Sequence, residues 1–150
     1  MREIKFRGKN QQDKWIVGEI LSLSKHKYIA PQDGDWFDFI PWVPNNVFHA
    51  PDSDEYEVDQ ETIGQFTGLH DKNGNEIYEG DIILHYASNG EPMEHEVYYL
   101  ESETRFATKL VGYDFLDEGE LTQRWLDEVG FEVIGNIHDN PELLNKEESK

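Results

Sequence analysis

The sequence predicts a mostly β protein, and three observations support that fold class. Near the start, Ile4 and Phe6 alternate with charged residues, which is the period-two pattern of a half-buried strand. In the middle, an Asn-Gly pair at residues 73–74 stands between two apolar stretches, a strong hairpin signal. Further short apolar runs are separated by turn residues, and helical spacing is confined to residues 121–129. We therefore expect paired strands with one or two short helices.

The N-terminal part is expected to begin with a hairpin. The strand containing Ile4 and Phe6 is followed by a polar turn at residues 10–14, and residues 15–21 form the return strand. A short strand follows at residues 28–29. Residues 22–51 are otherwise expected to be irregular, because proline cannot donate a hydrogen bond to a sheet and four prolines interrupt the segment.

The remaining elements follow from the same patterns. Asn73-Gly74 predicts a two-residue type I′ turn, in which both central residues have positive φ. A second turn at residues 79–81 leads into an apolar strand. Strands are expected at residues 82–86, 96–100, 105–111 and 131–137, with a helix at residues 121–129 and a closing turn at residues 140–144.

The charge balance limits the partners that the protein can bind. The formal net charge is -19, yet residues 1–30 hold seven bases against three acids, a net of +4, so the other 120 residues carry -23. Such an acidic surface disfavours binding to nucleic-acid phosphates and permits a basic partner or imitation of DNA. Cysteine is absent, which excludes disulfides and thiolate chemistry. Without a signal peptide or an apolar span, we expect a cytoplasmic protein.

Two neighbouring stretches contain the candidate interaction surface. The segment WFDFIPWV at residues 36–43 concentrates aromatic side chains among prolines, and residues 52–61 contain six acids and no base. The aromatic stretch could pack in a core, meet a partner protein, or stack on a base or sugar. The acidic stretch could be a solvated link or a cation site, although it lacks calcium-loop spacing. The candidate residues are Trp36, Phe37, Phe39, Trp42, Asp52, Asp54, Glu55, Glu57, Asp59 and Glu61.

Residues with catalytic or metal-binding potential are sparse. No serine stands in a nucleophile-elbow context, and the glycines form no phosphate-binding loop. His85 and His95 could meet across a strand pair, with Glu94 and Glu96 beside them, which leaves a metal site as an alternative to exposed strand histidines. We expect no enzyme activity, no metal and no cofactor.

Three blocks of the sequence resemble the YopX-like family of small phage and prophage proteins. They are MREIKFRG at residues 1–8, VDQETIGQFTGLHDKNGNEIYEGDII at residues 58–83 and FEVIGNIHDNPELL at residues 131–144. The resemblance implies a mostly β fold with an N-terminal β subdomain joined to an SH3-like barrel, and it implies phage or prophage origin. It brings no catalytic residues. We accordingly expect an N-terminal β part at residues 1–61, the barrel at residues 62–145 and a frayed tail at residues 146–150.

Two functions remain open from the sequence. The first is a non-enzymatic interaction protein that binds a host or phage protein, or another copy of itself, through the acidic surface; DNA mimicry is its narrowest form. The second is a nucleic-acid-binding small barrel that uses the basic N-terminal strands. The bases available for that second function are Arg2, Lys5, Arg7, Lys9, Lys14, Lys25 and Lys27.

Overall fold

A computed structural model describes residues 1–23, 25–31, 55–113 and 119–145. Contacts divide the chain into two compact units, Met1–Gln65 and Phe66–Lys150. The predicted mostly β fold is confirmed, because ten strands and one α-helix account for most of the structure in these ranges. The strands are β1 (Phe6–Lys9), β2 (Trp15–Leu23), β3 (His26–Pro31), β4 (Gly64–His70), β5 (Glu76–Tyr78), β6 (Asp81–Tyr86), β7 (Pro92–Leu100), β8 (Arg105–Leu110), β9 (Gly119–Glu120) and β10 (Glu132–Asn136).

The first unit is built on an antiparallel meander. β1 pairs with β2, with Lys9 opposite Trp15, and β2 pairs with β3 over its whole second half. The first two residues of β4 pair with the other edge of β1. Gly18 lies so close to β3 that a Cβ there would be 1.8 Å from the Ala30 carbonyl oxygen. No larger residue fits at position 18 unless the backbone of β2 or β3 moves.

The second unit is organised around a five-stranded antiparallel sheet. Its strand order is β10-β6-β7-β8-β9, and β5 returns alongside the later residues of β4 as a hairpin. Ile83 and Val97 on one face of this sheet are fully buried, together with Ile77 of β5 and Phe131. Leu126 completes this core from the helix α1 (Gln123–Val129). Burial of five such side chains makes this the larger hydrophobic core of the described chain.

The helix begins and ends at residues suited to those positions. Thr122 precedes α1, and its hydroxyl accepts a hydrogen bond from the Trp125 N–H at 3.2 Å. Gly130 ends the helix in the left-handed conformation with φ 81°. The Gln123 side chain also bonds the backbone of His70 in both directions, at 2.9 and 3.0 Å. The helix is therefore fixed at both ends and tied to the end of β4.

The central turn differs from the predicted type. Gly74 has φ 81°, but Asn73 has no positive φ, so a type I′ turn is wrong. The Gly74 N–H donates to the Asp71 carbonyl at 3.0 Å, and the Asp71 N–H donates to the Asn75 carbonyl at 2.9 Å. This is a type I turn closed by a glycine bulge. The reason is the register, because Asp71 pairs with Asn75 and leaves three residues in the loop rather than two. The Asp71 Oδ1 also accepts from the Asn73 and Asn75 N–H groups.

Element positions agree with the prediction, with shifts at the ends. The first strand is β1 and begins at Phe6, and β7 begins at Pro92, before the predicted residue 96. Short 3-10 turns occupy Gln60–Thr62, Glu101–Glu103 and Pro141–Leu144. The strands form antiparallel sheets, and the SH3-like barrel stays a prediction. No helix in the described ranges is long and apolar enough to span a membrane.

Candidate interaction surface on the N-terminal unit

The candidate residues fall into two groups according to what the structure describes. Trp36, Phe37, Phe39, Trp42, Asp52 and Asp54 lie outside the described residues. Glu55, Glu57, Asp59 and Glu61 lie within them, in what we call the acidic segment, residues 55–61. The site is therefore built from the acidic segment and the strands beside it.

The acidic segment is fixed by backbone hydrogen bonds on two sides. Against β3, the Ile29 N–H donates to the Tyr56 carbonyl, and the Val58 N–H donates to the Lys27 carbonyl, both at 3.0 Å. Against the end of β1, the Asp59 N–H donates to the Lys9 carbonyl at 2.8 Å. A segment bonded in this way is part of the folded unit. The interpretation of these residues as a solvated link is thus wrong for the described part.

Asn10 ties the start of the acidic segment to the first hairpin. It is 5% exposed, and its Oδ1 accepts from the Gln12 and Lys14 N–H groups at 3.0 Å. Its Nδ2 donates to the Glu55 carbonyl at 2.9 Å. Asn10 was not among the predicted site residues. A sequence signal was available, because asparagine and aspartate, at residues 10 and 13, are residues that favour turns. The structure shows the same kind of bulged turn as the one at Asp71, with Asp13 at φ 60°.

Apolar side chains of the acidic segment pack inward. Val58 is 5% exposed and lies against Gly8, where a Cβ would be 3.0 Å from the Val58 side chain. Tyr56 packs on a small cluster formed by Tyr28 and Ala30 of β3. Burial raises the pKa of the Tyr28 hydroxyl, and the nearby Glu57 carboxylate raises it further. Tyr56 and Val58 thus orient the segment against the unit.

The four carboxylates of the acidic segment have different environments. Glu57 is half-buried, and its carboxylate lies 2.5 Å from the His26 Nδ1. Asp59 is exposed, and its Oδ1 accepts the Glu61 N–H at 3.0 Å, which starts the 3-10 turn. Glu55 and Glu61 are exposed, and within the described chain they have no ion pair. Three exposed carboxylates are thereby presented from a fixed backbone.

Most bases of the N-terminal strands already have partners within the unit. Lys5 is 7% exposed and pairs with Glu3 at 3.2 Å. The Arg7 guanidinium lies 4.6 Å from the centre of the Trp15 ring, a cation–π contact. Lys9 pairs with Asp13 at 2.6 Å, and Lys27 donates to the Ser22 hydroxyl at 2.6 Å. The two lysine–carboxylate pairs offset part of the positive charge that the strands could offer to a phosphate backbone.

The two histidines of the predicted strand pair lie together, in a different setting from the one expected. His85 and His95 stack with ring centres 5.3 Å apart, and both contact Phe131. His95 is only 7% exposed, so its prediction as an exposed strand residue is wrong. The alternation of β7 places His95 on the buried face and Glu94 and Glu96 on the opposite face.

That alternation also separates the proposed metal ligands. Glu94 and Glu96 cannot join the two histidines on one face, because neighbouring residues of a strand point to opposite sides. Across residues 1–23, 25–31, 55–113 and 119–145, no group of three histidine or acidic residues is placed to hold a metal ion.

The fold and this surface define a small acidic mostly β protein with a fixed strip of carboxylates. The model of the family described as YopX protein matches residues 5–145, so this chain belongs to that family. It is also similar to the crystal structure of protein EF1440 from Enterococcus faecalis. The TM-score is 0.56 at 27% identity, over 97% of this chain and 100% of that chain. A comparison with curated proteins finds no match.

Proposed function

We propose that the protein is a non-enzymatic interaction module that binds a basic protein partner through the acidic segment. The single observation that supports this proposal is the fixed backbone under exposed carboxylates. Glu55, Asp59 and Glu61 are exposed, while the peptide groups around them are bonded to β1 and β3. A backbone that is ordered before binding loses little conformational entropy when a cationic surface meets the carboxylates it carries. Long-range attraction between the two surfaces also speeds their encounter.

The family supports a setting for the proposal. Membership of the YopX family supports a protein encoded by a phage or prophage that acts in the host cytoplasm. Its partner is then a host or phage protein, and a second copy of the chain is the alternative. DNA mimicry is the narrowest form of the proposal, in which the partner normally binds DNA.

Nucleic-acid binding through the basic strands has weaker support. Lys5, Arg7, Lys9 and Lys27 each have a contact inside the unit, as described above. Phosphate binding requires cations that can replace condensed counterions along the backbone. A group already paired with a carboxylate or stacked on an indole contributes less to that exchange.

Charge reversal on the acidic segment is expected to weaken capture of the partner. The test compares tagged wild type with the double variant Glu55→Lys/Glu61→Lys in a host-lysate pull-down at about 0.05 and 0.5 M salt, where the Debye length falls from above 10 Å to a few ångströms. Glu55 and Glu61 are chosen because their side chains have no hydrogen bond or ion pair within the described chain. We expect wild type to retain a partner at low salt, and we expect the variant to bind that partner about tenfold more weakly or worse.

The matched control is Glu91→Lys/Glu101→Lys, which changes the net charge equally at two exposed sites of the second unit. It should retain the partner. Equal retention by both double variants would contradict the proposal, as would recovery of the protein alone. A DNA duplex added as competitor distinguishes the mimicry form, because it displaces the protein only from a DNA-binding partner.

A further inference from the structure

Both Asn-Gly pairs of the chain, at residues 73–74 and 89–90, stand in the same kind of turn. In each turn the first residue's N–H donates to the fifth residue's carbonyl, and the glycine N–H donates to the first residue's carbonyl. These distances are 2.9 and 3.0 Å in the turn that begins at Asp71, and 2.9 and 2.8 Å in the turn that begins at Ala87. The glycines have φ of 81° and 83°. The chain thus contains two Asn-Gly turns with the same backbone geometry, which can be compared directly.

The first turn is fixed by the side chain of its first residue. Asp71 is 5% exposed, and its Oδ1 accepts from the Asn73 and Asn75 N–H groups at 2.9 and 2.8 Å. Its Oδ2 accepts from the Val133 N–H of β10 at 2.9 Å and from the Asn75 side chain at 3.1 Å. Opening this turn therefore also breaks bonds to a neighbouring strand.

The second turn has no such acceptor at its first position, because Ala87 carries only a methyl group. Its additional hydrogen bond runs from the Glu91 N–H to the Asn89 Oδ1 at 3.0 Å and stays inside the turn. Residues 88–91 are all exposed. Opening this turn replaces local hydrogen bonds with bonds to water and disturbs no buried group.

We propose that Asn89 is a site of spontaneous deamidation and that Asp71 protects Asn73 from the same reaction. The Gly90 backbone nitrogen attacks the Asn89 Cγ and forms a C–N bond. The carboxamide nitrogen leaves as ammonia and takes the proton of the Gly90 nitrogen, which gives a succinimide. Water then opens the ring at one of its two carbonyls, so the product is aspartate or isoaspartate. No oxidation or reduction takes place, and water is the co-reactant.

The turns differ in how often they reach the reactive geometry. Attack requires the glycine nitrogen to give up its hydrogen bond and the asparagine backbone to rotate, so the rate follows the population of the open turn. At Asn73 that rotation removes N–H groups from a buried carboxylate, whose hydrogen bonds are stronger than those of neutral groups. At Asn89 each partner belongs to the turn itself.

Peptide mapping by mass spectrometry of the full chain tests this proposal. Wild type is incubated at mildly alkaline pH, folded in one sample and unfolded in urea in the other. In urea the two Asn-Gly pairs should lose their amides at similar rates. In the folded sample we expect Asn89 to react about tenfold or more faster than Asn73. Similar folded rates at both sites, or faster loss at Asn73, would overturn the proposal.

The variant Ala87→Asp supplies the missing acceptor to the second turn. An aspartate there can accept from the Asn89 and Glu91 N–H groups, as Asp71 does in its own turn. We expect deamidation at Asn89 to slow severalfold while Asn73 is unchanged. Unchanged reaction at Asn89 in a folded Ala87→Asp protein would contradict the protective role of the carboxylate.

Discussion

Replacing Asp71 with alanine is expected to destabilise the second unit by about 3–5 kcal/mol. The carboxylate accepts four hydrogen bonds, from the N–H groups of Asn73, Asn75 and Val133 and from the Asn75 side chain. Alanine would leave these donors without their acceptor in a site where the carboxylate is 5% exposed. Donors that lose their partner in a partly buried site cost more than the hydrogen bonds themselves contribute.

The same residue gives the unit a dependence on acid. Burial raises the pKa of the Asp71 carboxyl, but the hydrogen bonds from Val133, Asn75 and Asn73 outweigh burial and lower the pKa below its ordinary 3.8. A lowered folded pKa means that the stabilisation is present above the unfolded pKa and is lost as pH falls through the folded pKa. Wild type should therefore lose stability below about pH 4 more steeply than an Asp71→Asn variant.

Urea unfolding at neutral and acidic pH measures both effects. Exposed Glu101 provides the control, since Glu101→Ala removes a carboxylate from the same unit at a site with solvent around it. The control should change stability by less than about 0.5 kcal/mol. If Asp71→Ala behaved like Glu101→Ala, the hydrogen bonds at Asp71 would contribute nothing to the fold.

Replacing Gly18 with alanine is expected to destabilise the first unit by about 3 kcal/mol. The added Cβ would lie 1.8 Å from the Ala30 carbonyl oxygen and 2.6 Å from the Ala30 carbonyl carbon. Both atoms are backbone, so no side-chain rotation relieves the contact and β2 must move away from β3. The entropic gain from losing a glycine, about 0.4–1 kcal/mol, is too small to offset this.

Amide hydrogen exchange locates the effect of Gly18→Ala. We expect faster exchange in β2 and β3, with the second unit less affected. Glu19→Ala is the control, because Glu19 is the next residue of the same strand and is exposed. If the amides of β3 exchanged as slowly in folded Gly18→Ala as in wild type, the β2–β3 pairing would tolerate a methyl group at residue 18.

Period-two alternation made most strands predictable, because it depends on local sequence. The bonding of the acidic segment to β1 and β3 was missed for the opposite reason. Its run of Glu55, Tyr56, Glu57, Val58 and Asp59 alternates like a strand, but the density of carboxylates hid that pattern. Its partners on β3 and β1 are distant in sequence, so the bonds that fix it could not be predicted.

Other features depend on contacts that form only in the fold. The position of the Asn73-Gly74 turn was predicted, whereas its type depends on the pairing of Asp71 with Asn75, which leaves three residues in the loop rather than two. The burial of His95 could have been predicted from period-two alternation, because the apolar Val97 two residues later lies on the same buried face. The close approach at Gly18 involves the facing strand and has no local signal.

The most direct measurement of the fixed acidic segment is amide hydrogen exchange at Val58 and Asp59 in the free protein. Their N–H groups donate to the Lys27 and Lys9 carbonyls at 3.0 and 2.8 Å. We expect both amides to exchange as slowly as those in the β1–β2 ladder, since all belong to one folded unit. Exchange at the rate of an unstructured peptide would show that residues 55–61 are a solvated link and present no fixed surface.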